Sequence, residues 1–334
     1  MHGPVAWPDV RSYRRLALIL VPLILVVAAT TIWLPYYSLG PGPAREVEPL
    51  IHVVGHPTYG SQGRFVMTSV RFSKLTALGA LVAWLDPNRS VVGRGTLYAP
   101  GETQQQEEVR SRSQMDQSKL AAAYVVLSRL TDYPKGHRPG ALVIGTAPGC
   151  PADGHLFPGD LITRIDGSRV SGRAQASRII DRAASGSSLS FDVRAGGQRE
   201  HVDLVRAPCG GQTDPVVGVV LIPNFPFRVT IESGEIGGPS AGLMWALGLY
   251  DLLTPGDLTG GRMIAGTGEI GLDGSVHPIS GIGDKIVAAA RAGAQVFLLP
   301  EGNAKEAGAA GDHGMTLVTV GTFQDALDFL QGSR

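Results

Sequence analysis

The chain has 334 residues, which suggests two or three domains. Its 29 Lys and Arg residues balance its 29 Asp and Glu residues, so the chain has no net charge to attract nucleic acid, and we do not expect nucleic-acid binding. The low share of charged residues (17%) beside 43% apolar residues favours a chain that lies partly in lipid.

The first element in chain order is the uncharged apolar run LALILVPLILVVAATTIWL at residues 16–34. As a helix it would match the roughly 30 Å of a bilayer core, so we predict one transmembrane helix. Arginines are concentrated in residues 1–15, which the positive-inside bias places in the cytoplasm. We therefore expect a single-pass protein of the cell membrane whose catalytic part lies outside the cytoplasm. The alternative is a signal peptide cleaved near Ala28.

Residues 35–136 follow as a mixed α/β region without evident catalytic residues. The runs IHVV and RFVMTSVRF predict strands, and LTALGALVAWL at 75–85 predicts a helix that is too short to span a membrane. We expect that helix to belong to a core. The polar stretch ETQQQEEVRSRSQMDQSK runs into AAAYVVLSRL, which predicts a long surface helix whose end packs against other residues.

Residues 137–209 have the order strand, turn, strand, helix, strand, strand. This order, with PADGHLFPGDLITRIDGSRV, resembles a bacterial PDZ domain. The resemblance implies that an extended peptide is bound as an added strand, with a glycine-containing loop holding its terminal carboxylate. The peptide-binding candidates in that loop are Gly140, Ala141 and Leu142; the alternative is that Gly140 is an ordinary turn residue. Cys150 and Cys209 form either a disulfide or a pair of small buried side chains.

Residues 215–334 carry the chemistry and predict an α/β domain. The sequence Gly-Pro-Ser-Ala-Gly at 238–242 fits G-x-S-x-G and precedes an apolar helix. A serine at a helix start lies near free backbone amides and the positive end of the helix dipole, which would stabilise an oxyanion. Ser240 is therefore the candidate nucleophile. The alternative is an ordinary N-cap serine.

A serine nucleophile needs a base, and three downstream residues are candidates. His277 and His313 lack an evident acidic partner. Lys285 begins a helix, where a charged lysine is disfavoured. Under apolar cover it would be neutral and would accept the Ser240 proton.

The strings IGGPSAGLMWAL and TGEIGLDGSVHPISGIGDKIVAAARAG resemble the proteolytic domain of Lon-type serine proteases. The resemblance implies Ser240 as nucleophile, Lys285 as general base and Thr267 as the residue that orients Lys285. It also implies a loop of Gly238, Pro239 and Ala241 whose backbone amides hold the oxyanion. There are two departures: Gly237 stands where many Lon proteases have an acid, the nearest one being Glu235, and Ser280 precedes Gly281 where a double glycine is usual.

Other motif readings are weaker. A GxGxxG pattern begins at Gly266, but a hairpin at Asp273-Gly274 follows it rather than the helix that a dinucleotide site requires. An α/β-hydrolase would need a parallel sheet where the PDZ-like region lies. HExxH and GxxxxGK followed by Ser or Thr are both absent, and two cysteines cannot build a metal cluster, so neither a metal nor a cofactor is expected.

The expected fold is an α/β (α+β) Lon-type proteolytic domain with a PDZ domain and an N-terminal mixed α/β segment behind one transmembrane helix. The expected function is ATP-independent cleavage of extended or misfolded polypeptides outside the cytoplasm, with the PDZ domain assisting recognition. Resemblance to Lon-type domains implies a homo-oligomer, with six subunits as the expectation. The rival hypothesis is a catalytically idle, membrane-anchored PDZ scaffold.

Overall fold

A computed structural model describes residues 10–86, 89–211 and 213–332. Before the PDZ-like region the chain forms the elements α1 Val10–Thr31, β1 Trp33–Glu46, a short 3-10 helix Glu48–Leu50, β2 Ile51–Val54, β3 Arg64–Thr76, α2 Ala77–Leu85, β4 Ser90–Gly93, α3 Arg94–Leu97 and α4 Gln104–Leu130. The PDZ-like region contains β5 Arg138–Thr146, β6 Leu161–Ile165, β7 Ser168–Arg169, α5 Arg173–Arg182, β8 Ser188–Ala195 and β9 Gln198–Val205.

The remainder of the chain is a mixed α/β region. Its elements are β10 Val219–Asn224, β11 Arg228–Ile231, α6 Gly242–Leu253, β12 Met263–Gly266, β13 Glu269–Ile270, β14 Val276–His277, α7 Ile282–Ala292, β15 Val296–Pro300, a 3-10 helix Glu301–Asn303, α8 Ala304–Ala310, β16 Thr316–Val320 and α9 Phe323–Gly332. Strands β13 and β14 pair as a hairpin, which is the arrangement that argued against a dinucleotide site.

The chain divides into two compact units, of which the first comprises residues 10–41 and 70–102. Within it, Tyr36 to Leu39 of β1 pair antiparallel with β4. The hydroxyl of Thr76 caps α2 by accepting from Gly79 N at 3.2 Å. The expectation that α2 is a core helix is wrong: Ala83 is buried, but Trp84 is 77% exposed.

Helix α1 contains most of the predicted transmembrane segment. It ends at Thr31, and the chain becomes extended from Trp33, so the end of the predicted run 16–34 lies in a strand. Within the described ranges no helix combines the length and the apolar character needed to cross a membrane. The prediction of a transmembrane helix is therefore not supported. The predicted cytoplasmic segment 1–15 lies outside the described residues as far as residue 9.

The second unit comprises residues 42–69 and 103–332 and holds two larger sheets. In one of them, β12 pairs in parallel with the start of β3 and with β15, and β15 pairs in parallel with β16. Helix α6 packs against α4 and is apolar except for Tyr250 and Asp251 near its end, and its residues Leu243 to Leu247 are completely buried. The carboxyl end of β12 is therefore held between neighbouring strands next to a buried helix.

The PDZ-like region forms the other sheet of this unit, with the antiparallel order β10-β5-β6-β8-β9. The predicted order of strands and helix is confirmed. Cys150 and Cys209 form a disulfide, which decides between the two readings of this pair. The core of this region is separate from the larger core that contains α4 and α6.

A carboxyl pair lies between the Glu48–Leu50 helix and α6. Asp251 is 3% exposed, and its Oδ1 accepts from Leu258 N at 2.8 Å. Glu48 Oε1 and Asp251 Oδ2 are buried without a hydrogen-bond donor among the described residues. Burial, and then the charge of Asp251, raise the pKa of Glu48 to about 8. We infer that Glu48 keeps its proton at neutral pH and donates it to Asp251.

Glu48→Gln is expected to reduce the pH dependence of stability. The folded pKa of Glu48 lies above its ordinary value of 4.5, so its stabilising contribution is complete below about pH 4.5 and is lost as the pH rises through about 8. Because Glu48 is partly exposed, we expect the wild type to lose only about 1–2 kcal/mol of unfolding free energy between pH 6 and pH 9 by this route. Urea denaturation at both pH values measures it, with Glu301→Gln, at an exposed site, as the control. An unchanged slope in Glu48→Gln would contradict the shared proton.

Candidate active site

Ser240 lies in the loop that leads from β11 into α6. The helix begins at Gly242 with Ala241 at the N-cap position, so Ser240 precedes the helix by two residues instead of opening it. No side-chain hydrogen bond caps this helix start among the described residues, which argues against the reading of Ser240 as an ordinary N-cap. Ser240 is partly exposed, so it is open to approach from solvent.

Helix α7 brings Lys285 against Ser240. The left-handed residue Gly281, with a φ of 73°, precedes the helix, and Lys285 lies in its first turn. Lys285 Nζ is 2.6 Å from Ser240 Oγ and 2.9 Å from Thr267 Oγ1. Ser240 lies 27 positions before Thr267, and Thr267 lies 18 positions before Lys285, yet both hydroxyl groups contact the Lys285 amine.

The environment of Lys285 favours the neutral amine. Its side chain is 3% exposed, and burial lowers its pKa from 10.5 to about 7. Within the described ranges Lys285 forms no salt bridge with a carboxylate. The positive end of the α7 dipole also disfavours an ammonium group at this position. Near neutral pH, Lys285 can therefore accept a proton from Ser240 Oγ.

Thr267 connects the amine to the nucleophile loop. It follows β12 directly and is completely buried. Its Oγ1 donates to Ser240 O at 2.9 Å, so the lone pairs of Oγ1 face Lys285 Nζ. The backbone N–H of Thr267 donates to Leu298 O at 3.0 Å, which extends the pairing of β12 with β15 beyond the strand end. Thr267 is thus held rigidly where it contacts both other residues.

The two histidines that the sequence offered as bases lie elsewhere on the surface. His277 is exposed, and its Nε2 is 3.0 Å from Ser275 Oγ. His313 is exposed in the loop between α8 and β16. The group in contact with Ser240 Oγ is the amine of Lys285.

The residues of the predicted oxyanion loop differ in whether their backbone N–H groups are free to bind an oxyanion. Gly238 N donates to Ser111 O at 2.8 Å, so this N–H is already bonded. Pro239 has no N–H. The N–H groups of Ser240 and Ala241 have no acceptor among the described residues. Of the three predicted residues Ala241 therefore has a free donor, and Ser240 itself provides a second.

Helix α4 explains why a glycine stands at position 237. A Cβ on Gly237 would overlap Ser111 Oγ and lie 3.0 Å from Ser111 Cβ, so a side chain there would push α4 away. The nearest acid, Glu235, is exposed. At position 237, where many Lon proteases have an acid, the close contact with α4 leaves no room for a side chain.

Gly237→Ala is expected to destabilise the protein by about 1–3 kcal/mol because the methyl group overpacks the contact with α4. Gly308→Ala is the matched control, since a Cβ there meets nothing within 4 Å and should stabilise by about 0.4–1 kcal/mol. Urea denaturation measures both, and Ser111→Ala in the Gly237→Ala background should restore part of the loss. An increase in stability for Gly237→Ala would show that this contact is not tight.

Sequence reasoning missed the part that α4 plays in the site. Ser118 Oγ donates to Pro239 O at 2.9 Å, while Ser111 O accepts from Gly238 N. Ser111 and Ser118 are seven residues apart, which places them on one face of the helix. That spacing of small residues in a polar helix was the available signal, but it does not show which segment they contact.

The predicted peptide-binding stretch of the PDZ-like region is not open. Ala141 and Leu142 of β5 pair with β10 on one side and with β6 on the other. Gly140 is buried at a φ of 105°, and a Cβ there would lie 2.7 Å from Leu161 Cδ1. A peptide cannot add to β5 at these residues, because both edges of the strand are already hydrogen-bonded. The prediction of Gly140, Ala141 and Leu142 as an open carboxylate loop is therefore corrected.

Strand β10 covers the edge of β5 to which the resemblance to PDZ domains assigned a peptide. It runs antiparallel to β5, and α5 packs against both strands. Leu221 belongs to the core of the PDZ-like region and Ile222 to the larger core. The segment that leads from the PDZ-like region to the active-site region thus ties the two cores together.

Two solved PDZ domains match about a quarter of this chain. The PDZ domain of the SdrC-like protein of Listeria innocua is 24% identical, covers 25% of this chain and 92% of its own, and has a TM-score of 0.23. The corresponding domain from Listeria monocytogenes is 26% identical and covers 25% of this chain and 86% of its own, again with a TM-score of 0.23.

The region that carries the site matches a known family. Residues 229–329 match the Lon protease (S16) C-terminal proteolytic domain. Lon protease 2 of Bacillus subtilis is 38% identical over 107 residues, and Lon protease of Roseiflexus castenholzii is 46% identical over 81 residues. These alignments cover 31% and 24% of this chain but 18% and 10% of the relatives. The segment containing Ser240, Thr267 and Lys285 is therefore similar to the Lon proteolytic domain, and the chain spans less than a fifth of the length of these relatives.

Proposed function

We propose that this protein is a serine endopeptidase with a Ser240–Lys285 dyad. The observation that carries the proposal is the 2.6 Å contact between Ser240 Oγ and a buried amine whose pKa is lowered to about 7. A lysine with its ordinary pKa would be charged near pH 7 and unable to accept a proton. A buried neutral lysine is a suitable general base for a hydroxyl nucleophile.

The reaction begins when Lys285 removes the proton from Ser240 Oγ as Oγ attacks the peptide carbonyl carbon. The carbonyl oxygen becomes an oxyanion, which the free N–H groups of Ser240 and Ala241 stabilise. The Lys285 ammonium then returns its proton to the leaving amine, and the C–N bond breaks to leave an ester on Ser240. Lys285 next activates a water molecule, which hydrolyses the ester and regenerates the free serine. Thr267 keeps the amine in place throughout.

The substrates we propose are polypeptide segments that are already extended. The sequence contains no Walker-type phosphate loop, and we infer cleavage without coupled ATP hydrolysis. Folded proteins would then be poor substrates because nothing unfolds them. We assign no substrate groove to the PDZ-like region, because β10 occupies the edge of β5. Assembly into a homo-hexamer remains a prediction for sedimentation or light scattering.

We further propose that the protein works outside the cytoplasm. The disulfide between Cys150 and Cys209 supports this location, since such bonds persist in oxidising compartments and are rare in the cytosol. Thiol alkylation of protein isolated from its native cells checks the proposal. Two alkylated cysteines before reduction would speak against it.

An active-site serine probe tests the proposed function. Fluorophosphonate should label the wild type, and labelling should be lost in Ser240→Ala and Lys285→Ala but kept in Lys305→Ala, which changes an exposed lysine. Hydrolysis of an unfolded polypeptide should increase with pH and reach half its maximum near pH 7, because the neutral form of Lys285 is the base. No labelling between pH 6 and pH 10 would favour the idle scaffold instead.

A further inference from the structure

The two free N–H groups at Ser240 belong to peptide planes whose carbonyl groups are both held by hydrogen bonds. In a planar trans peptide the C=O and the following N–H point in opposite directions, so fixing one fixes the other. Ser240 O accepts from Gly268 N at 2.8 Å and from Thr267 Oγ1 at 2.9 Å. These bonds orient the N–H of Ala241.

The other plane, between Pro239 and Ser240, depends on α4. Pro239 O accepts from Ser118 Oγ at 2.9 Å and from Gly242 N at the longer distance of 3.4 Å. The ring of Pro239 offers no N–H of its own that could anchor the residue. The hydroxyl of Ser118 is therefore the stronger of the two contacts that set the direction of the Ser240 N–H.

Ser118 is buried where it makes the hydrogen bond to Pro239 O. It is 3% exposed and lies on α4, more than a hundred residues before the segment that matches the Lon domain. A helical serine commonly bonds to a carbonyl of its own helix, but this hydroxyl donates to a loop 121 residues away. A Cβ on Gly242 would lie only 2.9 Å from Ser118 Oγ, so α4 and the start of α6 are in close contact here.

We propose that Ser118 is a positioning residue for the oxyanion site: its hydroxyl holds the Pro239–Ser240 peptide plane so that the Ser240 N–H is presented to the developing oxyanion. The inference rests on the proposed peptidase function. It adds a residue outside the matched domain to the machinery of that site. It also gives α4 a positioning role in the site in addition to its packing against α6.

The test compares Ser118→Ala with a matched serine on the same helix. Ser128 Oγ is also buried but has no hydrogen-bond partner among the described residues, so Ser128→Ala removes a hydroxyl that holds nothing. Removal of an oxyanion donor lowers kcat by about 10²–10³-fold, and loss of its alignment should cost roughly 10–100-fold. We expect that loss of kcat in Ser118→Ala, a KM within about twofold of the wild type, and a kcat within about twofold of the wild type in Ser128→Ala.

Two further readouts separate positioning from a general structural defect. The midpoint of the pH–rate profile should stay where the wild type has it, because Ser118 Oγ bonds to Pro239 O, whereas Lys285 Nζ bonds to Ser240 Oγ and Thr267 Oγ1. Ser118→Cys keeps a weak donor of similar shape and should recover part of the kcat lost in the alanine variant. It also serves as the second variant if Ser118→Ala is poorly folded.

Several results would overturn the inference. They are a kcat within twofold of the wild type in Ser118→Ala, an effect on KM alone, a shifted pH midpoint, or an equal loss in Ser128→Ala. All of these presuppose an active wild type that the serine probe labels. A wild type that is neither labelled nor active would instead refute the proposed function, and this inference with it.

Discussion

Lys285→Met is expected to abolish peptide hydrolysis and, at pH 6, to raise the free energy of unfolding. Loss of a general base costs about 10²–10⁴-fold in rate, and Lys285 is the amine in contact with Ser240 Oγ. The gain in stability arises because the wild type must bury an amine that is charged below about pH 7. A protein commonly becomes more stable when a residue that destabilises its active site is replaced.

The sign of the pH dependence follows from the two pKa values of Lys285. Between about pH 7 and 10.5 Lys285 binds more protons in the unfolded chain than in the folded chain, so the contribution of Lys285 to wild-type stability rises with pH over this range. The difference of about 3.5 pKa units corresponds to at most about 5 kcal/mol. Loss of the contacts with Ser240 and Thr267 offsets about 1–2 kcal/mol of this. Lys285→Met should therefore exceed the wild type by roughly 2–4 kcal/mol at pH 6, with the gap closing towards pH 10.

Urea denaturation at pH 6, 8 and 10 measures this effect beside the activity assay. Lys305→Met is the control, since its lysine is exposed and should change neither stability nor activity appreciably. If Lys285→Met were less stable than the wild type at pH 6 and had the same pH slope, Lys285 would not be a buried neutral amine. That result would remove the physical basis of the dyad.

Loss of the disulfide is the second large effect we expect. Cys150 and Cys209 are 59 residues apart, and closing a loop of that size restricts the unfolded chain by about 4 kcal/mol in the chain-entropy description. The Cys150→Ser, Cys209→Ser double variant should lose about 2–5 kcal/mol of unfolding free energy. The PDZ-like region should become more sensitive to proteolysis, because its elements from β6 to β9 lie within the loop that this bond closes.

Denaturation with and without a reducing agent provides the control for this prediction. The reductant should destabilise the wild type to the level of the double variant and have no further effect on the variant. Since Ser240 and Lys285 lie outside the loop, serine-probe labelling of the folded double variant should persist. A double variant within about 1 kcal/mol of the wild type would show that packing alone holds this region together.

The membrane segment and the PDZ groove show where local patterns were insufficient. An apolar run indicates burial or lipid contact, but the place where its helix ends depends on what the following residues pair with, and Trp33 starts a strand. Likewise, the order of strands and helix in residues 137–209 was readable from alternation and turn residues. The strand that covers the edge of β5 comes from residues 219–224, and no residue near Gly140 in the sequence predicts that pairing.

Ser240 and Lys285 could be named from the sequence because each lies in a short string whose glycine, proline and apolar residues also shape the local turn or helix. Thr267 was named through the resemblance of its string to the Lon proteolytic domain. Ser118, the bonded state of Gly238 N and the covered edge of β5 could not, because each depends on a contact between segments that are distant in the chain. The lowered pKa of Lys285 belongs to the same class, since desolvation depends on everything packed around the amine. Residue type and spacing act over a few positions, whereas burial, hydrogen-bond partners and charge state arise when the chain folds back on itself.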